Sequence, residues 1–280
     1  MTLMLITDDA AIAAHAVASG VDRIFVDLEV HGKEERQGHL DTHRAVHTPG
    51  DLMAIRRVLP DADLLARVNP LYEDSAAEID AVIAAGADRV MLPMFTTAEQ
   101  VGAFLDLVGG RAGSTLLLET PQAMTRVDEV LEHSDRIDEI HIGLNDLHLG
   151  MKLDFMFELL GGGIVDFLAA KIKASGVRFG FGGIARIGEG AVPSELIIGE
   201  HVRLGSEMVI LSRSFHNRAP SVEELRDGLD LSAEIRKVCD CEARFVASDS
   251  EALKANRLQL TERVRSAARQ RRLTTDAPAR

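Results

Sequence analysis

Two carboxylates end two apolar runs of this sequence. Leu116-Leu117-Leu118 leads into Glu119, and Ile140-His141-Ile142-Gly143-Leu144-Asn145 leads into Asp146. Each acid stands where a buried strand should stop and a loop begin, the place that forms the catalytic face of a parallel α/β barrel. A charged group directly after three leucines is costly unless paired. Two such acids meeting over one ion would suit a hard cation such as Mg²⁺. That ion takes one or two carboxylates at about 2.0–2.1 Å and leaves its other positions to water or substrate oxygens. Open coordination of this kind matches a chelating 2-oxo acid. Taken singly, each acid could equally cap the next helix.

Arg67 ends the run Leu64-Leu65-Ala66-Arg67. A guanidinium there either sits in a buried ion pair or binds a carboxylate or a developing enolate oxygen. In Phe25-Val26-Asp27-Leu28-Glu29, period-two spacing puts Asp27 and Glu29 on one side, at the same mouth. At least one of them is expected to hold Arg67 or an active-site lysine in place. His31, His39, His43 and His47 crowd the next polar stretch. A histidine titrates near working pH, so His31 is the foremost candidate base of the four, against a surface role that is open to all of them. The His-x-x-x-His spacings 39/43 and 43/47 offer zinc only on a helix, and no helix signal covers them. His141 is expected to point away from the barrel axis and His148 to lie over the site. Gly180, Gly182 and Gly183 follow a later strand and suit either a phosphate-binding turn or a plain tight turn.

Bulk properties narrow the class. The net charge of −13 argues against a nucleic-acid surface, and the absence of Trp with a single Tyr removes base-stacking platforms. Arg263, Arg265, Arg269, Arg271 and Arg272 form the one basic stretch, read as a solvated helix face that could pack on an acidic neighbour. No run of about 18 apolar residues offers a membrane span. The start Met1-Thr2-Leu3-Met4-Leu5-Ile6 lacks the basic region of a signal peptide. Cys239 and Cys241 lie in a helical stretch and read as reduced thiols, so a cytoplasmic protein is expected.

Strand-like and helix-like segments alternate to position these residues. Strands are predicted at Leu3–Thr7, Arg23–Leu28, Leu64–Val68, Arg89–Leu92, Thr115–Leu118, Glu139–Gly143, Val177–Phe181 and Glu207–Leu211. Helices are predicted between them, including one capped by Asp51, one over 123–133, and one over 154–175 broken at Gly161-Gly162-Gly163. Eight apolar strands with interleaved helices predict a (β/α)8 TIM barrel over residues 1–215. Residues 216–280 would then be extra C-terminal helices that complete the barrel and pack on a neighbouring subunit. An open doubly wound sheet is the alternative. Thr7-Asp8-Asp9 stands where its Gly-rich nucleotide turn would be, which disfavours it.

The ordered set resembles the HpcH/HpaI aldolase and citrate lyase β-subunit family, within the phosphoenolpyruvate/pyruvate superfamily. The resemblance runs from about residue 15 to about residue 212. It is carried by Val26-Asp27-Leu28-Glu29, Ala66-Arg67-Val68-Asn69, Gly86-Ala87-Asp88-Arg89-Val90-Met91-Leu92-Pro93-Met94, Leu118-Glu119-Thr120-Pro121 and Ile142-Gly143-Leu144-Asn145-Asp146-Leu147. It implies a (β/α)8 barrel and a homo-oligomer (trimer or hexamer), with Mg²⁺ or Mn²⁺ held by Glu119 and Asp146. A 2-oxo acid would meet Arg67, Pro93, Leu144 and Asn145, and an aldehyde or an acyl-CoA would be the second substrate. The expected reaction makes or breaks a carbon–carbon bond next to a pyruvate-type enolate, as in class II aldolases. A citrate- or malyl-CoA-type lyase or thioesterase is the second reading, and a catalytically silent 2-oxo-acid-binding barrel the third. The chain departs from the pattern at Val30, where the aldolase branch carries its proton-transfer histidine and the lyase branch an aspartate. His31 comes one residue later, and Lys33 and Arg36 match the lyase branch downstream.

Overall fold

The computed structural model describes residues 1–32, 48–216, 219 and 221–275. Parallel strands close into a barrel in sequence order: β1 Thr2–Ile6, β2 Arg23–Asp27, β3 Asp63–Arg67, β4 Arg89–Leu92, β5 Gly113–Leu118, β6 Glu139–Ile142, β7 Arg178–Ile184 and β8 Met208–Leu211. β8 pairs back onto β1, with Leu3 opposite Val209. Around the barrel lie α1 Ala10–Ala18, α2 Pro49–Val58, α3 Ser75–Ala84, α4 Ala98–Val108, α5 Pro121–Thr125, α6 Val127–Leu131, α7 Leu144–Gly150, α8 Glu158–Gly161, α9 Ile164–Ala174 and α10 Ser194–Leu204. α11 Val222–Gly228, α12 Leu231–Val246 and α13 Ser250–Thr275 follow. The (β/α)8 barrel with additional C-terminal helices is therefore the architecture.

Alternation along each strand sorts the core into two clusters. Outward residues such as Ile24, Val26, Leu116, Leu118, Ile140 and Ile142 pack under the helices. Inward residues Met4, Phe25, Leu65, Met91, Leu117 and Met208 fill the barrel. Below them, at the N-terminal mouth, Arg23 is only 2% exposed and Glu139 is fully buried. The Arg23 guanidinium donates twice to Glu139, at 2.7 and 3.0 Å, and once to Asp63 at 2.8 Å. Arg178 reaches Glu139 at 3.2 Å from the next strand. This charged floor closes the end opposite the site, where barrels carry stability rather than chemistry.

Several local expectations are corrected. Thr48, not Asp51, is the N-cap of α2; Asp51 is the third residue of a reciprocal capping box. The helix expected over 123–133 is two short helices meeting at Arg126. β7 continues to Ile184 because Gly182 takes a φ of +52° and the pairing with β8 shifts register between Gly180 and Gly183. A Cβ on Gly180 would fall 2.1 Å from Met208 Cγ, so glycine here is a packing requirement. His141 points into the barrel, not away from it. It lies two residues beyond Glu139 on β6, and its Nε2–H donates to the Gly182 carbonyl at 3.0 Å. Lys33, Arg36, His39, His43 and His47 lie outside the described residues. No helix among the described residues is long and apolar enough to cross a membrane.

Candidate active site

Arg67 ends β3 opposite Asp27 at the end of β2, as the strand register requires. Its Nε and Nη2 donate to the two Asp27 oxygens at 2.9 and 2.7 Å, a planar two-point contact that a lysine could not make. Nη2 also lies 3.3 Å from Glu29, whose side chain is buried. Burial alone would lower the proton affinity of the guanidinium. The charges of Asp27 and Glu29 more than reverse this, so Arg67 stays protonated. Both second-strand acids therefore lie against the arginine, and its Phe25 neighbour places a ring 5.6 Å beneath it.

Glu119 follows the last residue of β5 and is 3% exposed. Its Oε1 accepts the Met94 N–H at 3.2 Å. Met94 holds φ at 54°, a left-handed backbone uncommon outside glycine, which aims that N–H from the end of β4 toward the acid. Burial pushes the Glu119 carboxyl well above the usual carboxylate range. Arg67 opposes this, while Asp146 and Glu29 add to it. Asp27, Glu29 and Glu119 thus act on the Arg67 guanidinium, and Asp146 and Glu29 on Glu119.

Asp146 lies in the first turn of α7, a helix where the sequence predicts a loop. The helix starts directly at Gly143, the residue after β6, so the acid is carried back over the barrel mouth. Gly143 is what lets the two acidic segments close. A Cβ there would stand 2.7 Å from Glu119 Cβ and 2.9 Å from Glu119 Oε2. His148 is on the same helix, and its Nδ1 is hydrogen-bonded to the Asn145 carbonyl. Leu144 is buried against Gly182, where a Cβ would meet it at 2.7 Å.

His31 is exposed, and its ring meets Tyr72 edge-on at 4.6 Å. The buried Asn69 fixes its backbone: Oδ1 accepts the Val30 and His31 N–H groups at 2.8 and 2.9 Å. Asn69 Nδ2 donates in turn to Glu78 at 2.7 Å. The contacts of His31 thus lie with the residues after β3, two strands away from Glu119. Gly143 is the glycine that the sequence marks for close backbone approach beside Asp146, whereas Met94, Tyr72 and Glu78 carry no role in the sequence. No residue type announces a left-handed methionine.

An oxygen-only pair of acids, crowded by like charge, suits a hard cation. The space kept open by Gly143 beside Glu119 Oε2 fits such a group. Among the described residues no set of three or more His, Cys, Asp or Glu forms a complete protein cage. The donors present would leave most positions to water or substrate.

Comparison with known proteins agrees with this barrel. The family described as HpcH/HpaI aldolase/citrate lyase matches residues 1–156. A solved HpcH/HpaI aldolase from Desulfitobacterium hafniense superposes with a TM-score of 0.58 at 16% identity, covering 75% of this chain and 85% of that one. An HpcH/HpaI aldolase/citrate lyase family protein from Burkholderia cenocepacia gives 0.59 at 13% identity, over 87% and 93%. These two likenesses concern the fold. A pyruvate kinase from Methylorubrum extorquens is 33% identical over 87 residues, 31% of this chain but 18% of that protein, so this chain spans under a fifth of its length.

Proposed function

The chain belongs to the HpcH/HpaI aldolase/citrate lyase family, and from that premise we propose that it is a divalent-metal-dependent carbon–carbon lyase acting on a pyruvate-type 2-oxo acid aldol. Family membership itself supports a lyase-type reaction. The observation that favours the finer reading is the buried Glu119, on which the charges of both Arg67 and Asp146 act.

In this reading Glu119 and Asp146 hold Mg²⁺ or Mn²⁺. When bound, the cation supplies Lewis-acid stabilisation of enolate charge, a contribution of several kcal/mol in such sites. Arg67 binds the substrate oxygen on which negative charge grows. Asp27 and Glu29 keep its guanidinium plane fixed, so little reorganisation accompanies the reaction. The backbone at Leu144 and Asn145, with Pro93 on the other side, borders the carboxylate of the 2-oxo acid. His31 is the proposed proton carrier: in the cleavage direction it takes the hydroxyl proton as the carbon–carbon bond breaks. The second substrate is an aldehyde, and the protein works as a cytoplasmic homo-oligomer whose terminal helices contact a neighbour.

Glu119→Gln tests the proposal. The variant should lose bound Mn²⁺ and the exchange of pyruvate methyl protons with D₂O. Exchange at the parent rate in that variant refutes it. A strict requirement for CoA in turnover would instead favour the acyl-CoA lyase reading.

A further inference from the structure

The terminal helix α13 reaches the stretch that follows the helix of Asp146. It lies along α8 and α10 on a track cleared by glycine. A Cβ on Gly199 would meet Asn256 at 2.5 Å, and one on Gly161 would meet Val264 at 3.1 Å. Asn256 Nδ2 donates to the Leu196 carbonyl at 3.0 Å, and Arg257 lies 3.4 Å from the fully buried Glu200. Leu260 and Val264 are buried on the same face. A helix of 26 residues is about 39 Å long, so anchoring its first half fixes where its last turns fall.

Those last turns meet the stretch directly after α7. The Arg271 guanidinium stacks 4.2 Å over the ring of Phe155, itself 2% exposed and edge-on to Phe157. Arg272 Nε lies 2.6 Å from Asp154. Between α7 and Phe155 the chain passes through Lys152 at a φ of 56°. Among the described residues only Met94 and Lys152 combine a side chain with positive φ. Met94 touches Glu119, and Lys152 follows the helix of Asp146. A strained backbone of this kind persists only where its surroundings determine it. For Lys152 those surroundings include Asp154 and Phe155, the residues the terminal helix grips.

We infer that Arg271, acting through Phe155, is a positioning residue for Asp146, so that cation affinity at the barrel mouth depends on the last turns of the chain's terminal helix. The inference rests on the metal reading above. An exposed Arg272–Asp154 pair contributes little by itself. The stacked Arg271, desolvated on one face by a buried ring, is the stronger link.

Mn²⁺ affinity of the full chain, read by titration calorimetry, tests this in Arg271→Ala, Arg271→Lys and Glu119→Gln. Arg271→Ala should weaken Mn²⁺ binding about tenfold, the lower end of what loss of a supporting contact does to a metal site. Arg271→Lys should recover part of the loss, since an ammonium keeps the charge but not the planar stack. Amide exchange should quicken over residues 144–155 and stay unchanged over β5. Unchanged affinity in Arg271→Ala, with Glu119→Gln unable to bind, overturns the inference alone. Parent-like binding in Glu119→Gln overturns the metal reading beneath it. Where Arg271→Ala fails to fold, Phe155→Leu gives the same comparison: a parent-like affinity there overturns the inference, and a tenfold loss supports it.

Discussion

Gly143→Ala isolates the steric condition on which the candidate metal site depends. The Gly143 backbone, at φ −81° and ψ 94°, accepts an alanine without conformational strain. The added methyl, however, would stand 2.7 Å from Glu119 Cβ, 2.9 Å from Glu119 Oε2 and 3.2 Å from Leu117 Cδ1. Ordinary carbon–carbon contact is about 3.5–4.0 Å, so the first overlap is close to 1 Å. A Cβ cannot swing aside as a side-chain tip can, so β5 and β6 must part or the Glu119 carboxyl must move. Overpacking of this kind costs about 1–3 kcal/mol. For a chain of this size that lowers Tm by about 2–10 °C. Displacing one of the two proposed acidic ligands should also weaken Mn²⁺ binding at least about tenfold. Differential scanning calorimetry and Mn²⁺ titration read the two effects. In a Glu119→Gly background the clashing Cβ is gone, so the added cost of Gly143→Ala should shrink, as coupling between touching residues requires. A Tm within about 1 °C of the parent, together with parent affinity for Mn²⁺, refutes the steric reasoning.

Three other outcomes follow from the same geometry. Arg67→Lys keeps the charge but loses the two-point contact with Asp27; kcat/KM should fall about 10²–10³-fold, and a loss under tenfold would place Arg67 outside the reaction. Burial lowers the pKa of His141 to about 4, while the unfolded chain takes the proton near 6.5. The folded pKa is the depressed one, so stability is present above about pH 6.5 and is lost as pH falls toward 4. The loss, up to about 3 kcal/mol, should vanish from urea titrations of His141→Gln. Glu139→Gln leaves Arg23 buried without its carboxylate and should cost about 3–5 kcal/mol in urea unfolding, while Mn²⁺ affinity of the folded fraction stays at the parent value.

The barrel was legible in the sequence because its cause is local and repeated. Each strand is a short apolar run such as Leu64–Ala66 or Val90–Leu92, set at regular intervals between amphipathic stretches. Burial on both faces demands such runs wherever the strand sits. The expectation for Asp27 and Glu29 was similarly local, since two residues apart on a strand means one side.

What the sequence did not show depends on pairing between distant segments. His141 carries the same name whether it faces helices or barrel axis. Only the register that sets it beside Leu117 and Gly180 decides that it faces in. The helix beginning at Leu144 is too short to show a period in sequence; its packing over Pro121 through Gly150 is what holds Asp146 on a helix. Met94 takes its left-handed backbone from closure around Glu119, a contact between β4 and β5 that no window of sequence contains. The identity of the acids and the arginine was written in the chain by composition. Their mutual charge, the cradle at Gly143 and the reach of Arg271 to Phe155 arise only when the chain closes, because each is a through-space effect between residues far apart along the backbone.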